Sequence, residues 1–463
     1  MLSAADDPPN IIIFLADDLG YSDVSRYREL LNENGVLSAT SMTPNIDNLA
    51  GEGMLFTDFY SGSAVCSPSR SALLTGRNAT RNGIYNWIPE KSPMHLKNEA
   101  ITIAEMLKEK GYETAHFGKW HLTSKDMGQP IPNDQGFDYS FFTHNNAIPS
   151  HKDPVNFIRN GNVVGELKGY SCQLVVDEAM EWFSKRSQQA KPFYINVWFN
   201  EPHEKVAAPE EFTSRHSRNP EYYGAIENMD NAVGRLLDFL KNNGLDKNTL
   251  VIFSSDNGSQ VQHSNAPFRG EKCLNFEGGI RVPFIVKYNG VIPLGTVKRT
   301  PGHFTDILPT IASITDSNLP GQTLDGTDLS EVFKNKKEKV NRIHPIFFYR
   351  YFHDPICMIR EDNWILLGYD NKIPYAEDYD VKELANLKPD PNNPGWSMWS
   401  FQPVHMKFIE RQHIQHYELY DLNQDVGQRN DVSVHNPKIV SRLKGEMLRL
   451  KEEMITEGGN WFD

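Results

Sequence analysis

Short, continuously apolar segments alternate along the chain with longer amphipathic ones, and the alternation repeats. Residues 10–16 (NIIIFLA) form an unbroken apolar, β-branched run, as in a strand buried on both faces of a parallel sheet, and it stops at Asp17-Asp18. The spacing of Ile103, Met106 and Leu107 predicts a helix over 103–110 that Gly111 would end. Residues 112–117 then read as a strand running into Gly118-Lys119-Trp120-His121. An amphipathic helix over 170–185 precedes a strand over 193–199 that ends at Glu201-Pro202-His203. Once more, Ile226, Met229, Val233, Leu236, Leu237 and Leu240 share one face of a helix over 222–242. Gly244 ends it, and a strand over 250–254 leads to Asp256-Asn257-Gly258. A strand over 282–287 and a helix over 306–314 extend the same layer.

This alternation predicts an α/β fold: a large doubly wound, mixed but mostly parallel sheet flanked by helices, in which ligands bind beyond the carboxyl ends of the strands. Four strands finish in ionisable or amide residues, which concentrates the candidate chemistry on that edge. A charged stretch, residues 334–342, marks a boundary between a catalytic domain over 1–340 and a smaller one over 341–463. The same stretch also reads as a solvated turn within one domain. Beyond it, runs at 346–351, 357–360 and 364–369 have hairpin spacing, residues 388–403 are irregular, and 436–454 predict a helix. The C-terminal part is therefore expected to be a small antiparallel α+β subdomain contributing to a substrate pocket.

The 463 residues exceed what one core usually holds, and 39% hydrophobic with 23% charged residues is ordinary globular composition. The net charge of −13, without a block of basic residues, argues against nucleic-acid binding. It also disfavours an anionic substrate, unless positive charge is gathered in one cleft. No apolar run reaches the length of a membrane span, so no membrane insertion is expected. The start of the chain has no secretory signal, which fits either a cytosolic protein or a trimmed one. Cys66, Cys172, Cys273 and Cys357 are widely spaced and indicate neither a zinc site nor a disulfide framework.

Asp17, Asp18, Asp256 and Asn257 offer an all-oxygen set suited to a hard divalent cation, Ca2+ in preference to Mg2+. Without one, the crowded carboxylates would raise one another's pKa values. Either pair alone is also ordinary turn chemistry after a strand. In residues 63–77 (SAVCSPSRSALLTGR), Cys66 precedes Ser69, a candidate helix cap, and Arg70, whose guanidinium could fold back on the cysteine. A cysteine at a helix N-terminus beside an arginine is expected to have a lowered thiol pKa and to act as a nucleophile. A lone cysteine also reads as a buried structural residue. Likewise His121 and His203 could be plain strand-end histidines, and Lys119 and Lys272 surface lysines.

Cys66-Ser67-Pro68-Ser69-Arg70 followed by Leu74-Thr75-Gly76-Arg77 resembles the signature of the type I, formylglycine-dependent sulfatases of the alkaline phosphatase superfamily. The resemblance extends through Thr43-Pro44-Asn45-Ile46-Asp47, Gly118 to Leu122, Pro202-His203, Ser255 to Gly258, Gly270-Glu271-Lys272, Asp306 to Thr310 and Glu418 to Leu422. It implies an alkaline phosphatase-like fold and conversion of Cys66 to Cα-formylglycine (3-oxoalanine) by a maturation enzyme. It implies a metal site of Asp17, Asp18, residue 66, Asp256 and Asn257. A hydroxyl of the formylglycine hydrate, activated by the metal and Asp256, would attack sulfur. His203 and Lys272 would serve the leaving oxygen, His121 would collapse the resulting hemiacetal, Lys119 and Lys272 would neutralise the sulfate, and Arg70 would hold the hydrate.

Core motifs of that family do not separate aryl, steroid, lipid and carbohydrate sulfatases. The loops at 144–151, 263–269, 350–354 and 396–405, with His263, Arg269 and Arg350 beside Lys119, His203 and Lys272, are expected to contact a charged, hydroxylated sugar. The favoured expectation is exo-acting O-desulfation of a galactose or N-acetylgalactosamine-type glycan by a periplasmic or secreted enzyme. The alternatives are a phosphonate or phosphate ester hydrolase of the same superfamily and a catalytically dead glycan-binding protein.

Overall fold

The computed structural model describes residues 7–31, 41–186, 191–261, 263–370 and 401–462. In chain order the strands are β1 (Asn10–Asp17), β2 (Met54–Phe56), β3 (Phe59–Tyr60), β4 (Glu113–Lys119), β5 (Tyr139–Thr143), β6 (Ile158–Arg159), β7 (Asn162–Val163) and β8 (Phe193–Pro202). They continue with β9 (Thr249–Ser255), β10 (Phe284–Tyr288), β11 (Thr296–Lys298), β12 (Gly302–His303), β13 (Ile346–Tyr349), β14 (Cys357–Glu361), β15 (Trp364–Tyr369) and β16 (His416–Asp421).

Ten of these form one sheet in the order β11-β2-β10-β9-β1-β8-β4-β5-β6-β7. The centre, β9-β1-β8-β4-β5, is parallel throughout. β10 runs antiparallel between β9 and β2, and β6 and β7 form an antiparallel hairpin at the far edge. This is the mixed, mostly parallel sheet expected from the apolar runs. β1 is buried from Ile11 to Asp17, which is why its sequence shows no polar alternation.

Local sequence sets the flanking helices. Thr102 and Glu105 form a reciprocal capping box that starts the helix Ile103–Glu109 (3.2 and 2.8 Å). Pro220 opens the helix Pro220–Asn242 behind a left-handed Asn219, and its apolar stripe packs on the sheet. The helix expected over 306–314 spans Ile307–Thr315, because Phe304–Asp306 forms a 3-10 turn in front of it.

Past residue 340, β13 to β16 form a four-stranded antiparallel sheet, and the helix Pro437–Gly458 buries Leu443, Met447, Leu450 and Met454. One apolar cluster runs from Ile11 and Ile13 through Phe347 and Ile359 to these helix residues. A buried ionic clamp also joins the two sheets. Arg281 pairs with Asp58 (2.9 Å) and Glu277 (2.7 Å) and donates to Thr57 O (2.7 Å). Arg360, on β14, reaches the other oxygen of Asp58 (2.9 Å) and Tyr60 Oη, which in turn donates to Glu277 (2.7 Å). Most of the irregular segment expected over 388–403, and the first residues of the loop expected over 396–405, lie outside the described residues.

Candidate active site

β9, β1, β8 and β4 are neighbours and point the same way, so their carboxyl ends bring distant residues together. Asp17 is the last residue of β1, Lys119 that of β4, His203 follows β8, and Asp256-Asn257 follow β9. Gly118 allows the approach. It sits at φ +102, and a Cβ there would lie 1.8 Å from Trp198 O on β8. Asp18 (φ 63) and His121 (φ 52) both take left-handed backbone just past their strand ends, a strain concentrated where side chains are re-aimed.

The cluster is dense in charge. Lys119 Nζ lies 2.6 Å from Asp17 Oδ2, and Lys272 Nζ lies 2.6 Å from Asp18 Oδ2. Arg70 donates to Asp256 Oδ2 through Nε (2.9 Å) and to Lys119 O through Nη1 (2.7 Å), and its Nη2 lies in ion-pair contact with the same Asp256 oxygen (2.8 Å). The Asp256 carboxylate also accepts from Asp18 N (3.1 Å), and Asn257 Nδ2 donates to Asp18 Oδ1 (2.6 Å). Asp17, Cys66 and Asp256 each place a ligand atom within 4.8 Å of the others, as do Asp17, Asp18 and His203. Asp17 Oδ1 and Asn257 Oδ1 are buried without a hydrogen-bond partner. Oxygens left in that state suit a hard cation better than a lysine-only neutralisation, so Asp17, Asp18, Asp256 and Asn257 fit a divalent ion.

Mutual repulsion raises only one of the carboxylates whose shift is resolved. Burial pushes Asp256 up to about 7, with the Asp17 charge adding to it. Burial opposes ionisation of Asp17 as well, but Lys119, His203, Arg70 and Lys272 hold it well below the usual carboxylate range. His203 Nε2 lies 2.9 Å from Lys272 Nζ, and its Nδ1 lies 2.7 Å from Glu204 O. Burial and the Lys272 charge lower the pKa of His203, so Lys272 carries the positive charge and donates to a neutral imidazole. His121 is fully buried and neutral, with Nε2 on Ile88 O (3.1 Å) and Nδ1 unpartnered.

Two expectations about the Cys66 segment are corrected. The helix spans Cys66–Thr75, so Ser69 lies inside it and is no N-cap; its hydroxyl accepts from Gly62 N (3.0 Å). The thiol pKa is not lowered. Burial pushes it up to about 11, and Lys119 and Lys272 only partly offset this. A helix N-terminus activates a thiol that water can reach, and Cys66 is 3% exposed. Cys172 and Cys357 are buried, Cys273 is half-buried, and all four cysteines are free thiols.

The expected sugar contacts are scattered. His263 is exposed. Arg269 stacks on Phe276 (4.0 Å) and donates to Tyr420 Oη (3.3 Å) and Gln428 O (3.2 Å). Arg350 is 1% exposed and holds Cys273 O (2.7 Å), beside Lys272, while Cys273 N donates to Ala64 O (2.9 Å). It braces the turn that carries Lys272. Asn146, which sequence reasoning did not single out, accepts from Lys119 Nζ (3.0 Å). Its signal was its place just beyond β5, the fifth parallel strand end.

An edge that combines paired carboxylates, two lysines, two neutral histidines and a buried cysteine defines a hydrolase acting on an anionic ester. The sulfatase family profile matches residues 9–317. N-acetylgalactosamine-6-sulfatase of Rattus norvegicus is 32% identical over 380 residues, covering 76% of this chain and 70% of that protein. Arylsulfatase A of Homo sapiens is 31% identical over 378 residues, covering 75% and 72%. The crystal structure of Ps i-CgsB in complex with k-i-k-neocarrahexaose superposes with a TM-score of 0.78 at 26% identity, covering 98% of this chain and 94% of that one. The chain belongs to the sulfatase family and is a sulfuric ester hydrolase.

Proposed function

We propose that this enzyme removes O-sulfate groups from a sulfated glycan, acting from the chain end on a galactose or N-acetylgalactosamine-type sugar, in the periplasm or outside the cell. The observation that carries the reading is the placement of Cys66 within 4.8 Å of Asp17 and Asp256 on an edge where Lys119 and Lys272 are fully or nearly fully buried. The names of its relatives, an N-acetylgalactosamine-6-sulfatase and a structure bound to a neocarrahexaose, support the sugar class.

Formylglycine made from Cys66 by a maturation enzyme supplies an oxygen nucleophile where a thiol of pKa about 11 would be idle. A divalent ion, Ca2+ by preference, held by Asp17, Asp18, residue 66, Asp256 and Asn257, supplies Lewis acidity toward the sulfate oxygens. Lys119 and Lys272 balance the charge that the sulfate brings, in a site where water does not screen them. Lys272 and His203 share a hydrogen bond at the open side of the cluster and deliver a proton to the leaving sugar oxygen. His121 Nδ1, buried without a hydrogen-bond partner, is a free base, and Arg70 fixes Asp256, the second base. Residues 1–340 carry this machinery, and residues 341–463 shape the sugar pocket.

A panel of sulfated mono- and disaccharides differing in sugar and sulfate position, run beside an aryl sulfate and an aryl phosphate, tests the reading. The expected result is the highest kcat/KM on one sulfated sugar. A much higher kcat/KM on the phosphate overturns the sulfatase reaction, and turnover of the aryl sulfate alone overturns the glycan. Peptide mass spectrometry over residues 63–77 reads the conversion of Cys66 directly.

A further inference from the structure

A well-formed cleft lies away from the carboxylate cluster. It is an open cleft of about 720 Å3 between the β2–β11 side of the large sheet and the C-terminal sheet. Strand directions place it on the same edge as the active site. β2 pairs antiparallel with β10, which pairs antiparallel with β9, so Phe56 and Ser254 both align with Phe284. β11 is parallel to β2, with Lys298 opposite Phe56. Asp58 and Arg299, just past these strands, therefore leave from the edge that bears Asp256. In the sheet order, β2 is two strands from β9 and β11 is four from β1, which sets the cleft roughly 10–20 Å from the carboxylates.

Its lining is cationic in a protein whose net charge is −13. Arg281, Arg299, Lys339, Arg342 and Arg360 face it, against Asp58, Glu338 and Asp362. Most of these charges are already matched: Asp58 by Arg281 and Arg360, Arg342 by Asp306 (2.5 Å), Glu338 by Lys298 (2.5 Å). Asp362 is exposed and makes no ion pair among the described residues, and Arg360 Nε donates to its backbone oxygen rather than to its carboxylate. Arg299 and Lys339 are likewise exposed and make no hydrogen bond or ion pair among the described residues. Two free cations against the one free carboxylate of Asp362, over a floor of matched charge, leave the cleft with a surplus of positive charge.

We infer that this cleft is a second, non-catalytic binding site for an anionic sugar unit of the same glycan chain whose end enters the active site. The inference rests on the proposed glycan substrate. The volume accommodates a sugar unit or two, and the separation is one that a single bound sugar does not bridge but a chain does. Holding a polymer at two points converts the second contact into an intramolecular one, which raises affinity for chains without changing the chemistry at a single residue.

The test uses Arg299→Gln/Lys339→Gln in full-length enzyme, and the same pair in the turnover-dead Cys66→Ala protein, with calcium present. Chondroitin 6-sulfate chains are the probe, their chemically desulfated form the control. The pair is expected to weaken chain binding by Cys66→Ala about tenfold, as loss of two exposed charge contacts predicts, with kcat/KM on a sulfated monosaccharide unchanged. Arg299→Glu/Lys339→Glu should weaken it further. Unchanged chain affinity in both pairs overturns the site. An equal loss from Lys241→Gln/Lys438→Gln, on helices away from the cleft, also overturns it in favour of diffuse attraction. Because binding is read on a protein that turns nothing over, absence of any sulfated-sugar turnover by the wild type would count against the proposed function and leave the binding result to judge the cleft.

Discussion

Two buried ionic clusters occupy the same edge of the large sheet and are made from the same residue types. Asp17, Asp18 and Asp256 meet Arg70, Lys119 and Lys272; a few strands away, Asp58 and Glu277 meet Arg281 and Arg360. In the clamp, each guanidinium nitrogen and each carboxylate oxygen has a partner. In the other cluster Asp17 Oδ1, Asn257 Oδ1 and His121 Nδ1 have no hydrogen bond. Burial and charge alone therefore do not separate a site from a brace. Open valences do: a satisfied network fixes one structure, whereas an unsatisfied one keeps free energy available for an ion and an incoming ester.

The sharpest way to break this contrast is to remove the centre of the open cluster. Cys66→Ala should abolish turnover, by at least about 10^3-fold, with the thermal midpoint nearly unchanged; normal turnover would refute the nucleophile. Lys119→Met should lower kcat about 10^2- to 10^3-fold. Its midpoint should stay near wild type with calcium and drop on chelation, because Asp17 would have lost its shortest cation contact and the ion would make up for it. Arg281→Met should do the reverse, destabilising the fold by roughly 3–5 kcal/mol in urea while kcat on a monosaccharide at 20 °C stays within about twofold, since Glu277 would lose its ion-pair partner and Asp58 one of its two.

A smaller, pH-dependent effect measures what the clamp's cations contribute. Asp230 is buried like Asp58 but has only hydrogen bonds, from Asn45 N, Asn45 Nδ2 and Ile46 N (3.2, 2.7 and 2.8 Å). Burial raises it to about 6, whereas Asp58, also buried, is held low by Arg281 and Arg360. A raised carboxyl pKa stabilises the fold below the unfolded value and loses that stabilisation as pH rises through the folded one. Relative to Asp230→Asn, the wild type should lose on the order of 2 kcal/mol between pH 4 and pH 7 in urea unfolding. A gap that does not change with pH would mean that burial is not what sets this carboxyl.

Much of the open cluster was legible because each parallel strand is an unbroken apolar run, and the first polar residues after it must land on one edge. Asp17, Lys119, His203 and Asp256 were found that way. Asn146 was missed as an individual because it lies in a loop, where no period marks which side chain turns inward. The clamp was invisible because Asp58, Glu277, Arg281 and Arg360 come from four unrelated segments with ordinary surface-like neighbours. The thiol of Cys66 was misjudged because the sequence shows the helix start and the arginine but not the loss of water around them. Arg350 read as a sugar contact for the same reason, since an arginine 1% exposed looks like any other in sequence.

The apolar cluster that runs from Ile11 to Met454, together with the Arg350 brace on Cys273, has a practical corollary. The C-terminal sheet is not an interchangeable module. Grafting it from a relative should displace the turn that carries Lys272 and open the shared interior, which leaves the rim loops, rather than the sheet, as the part to rewrite for a new specificity.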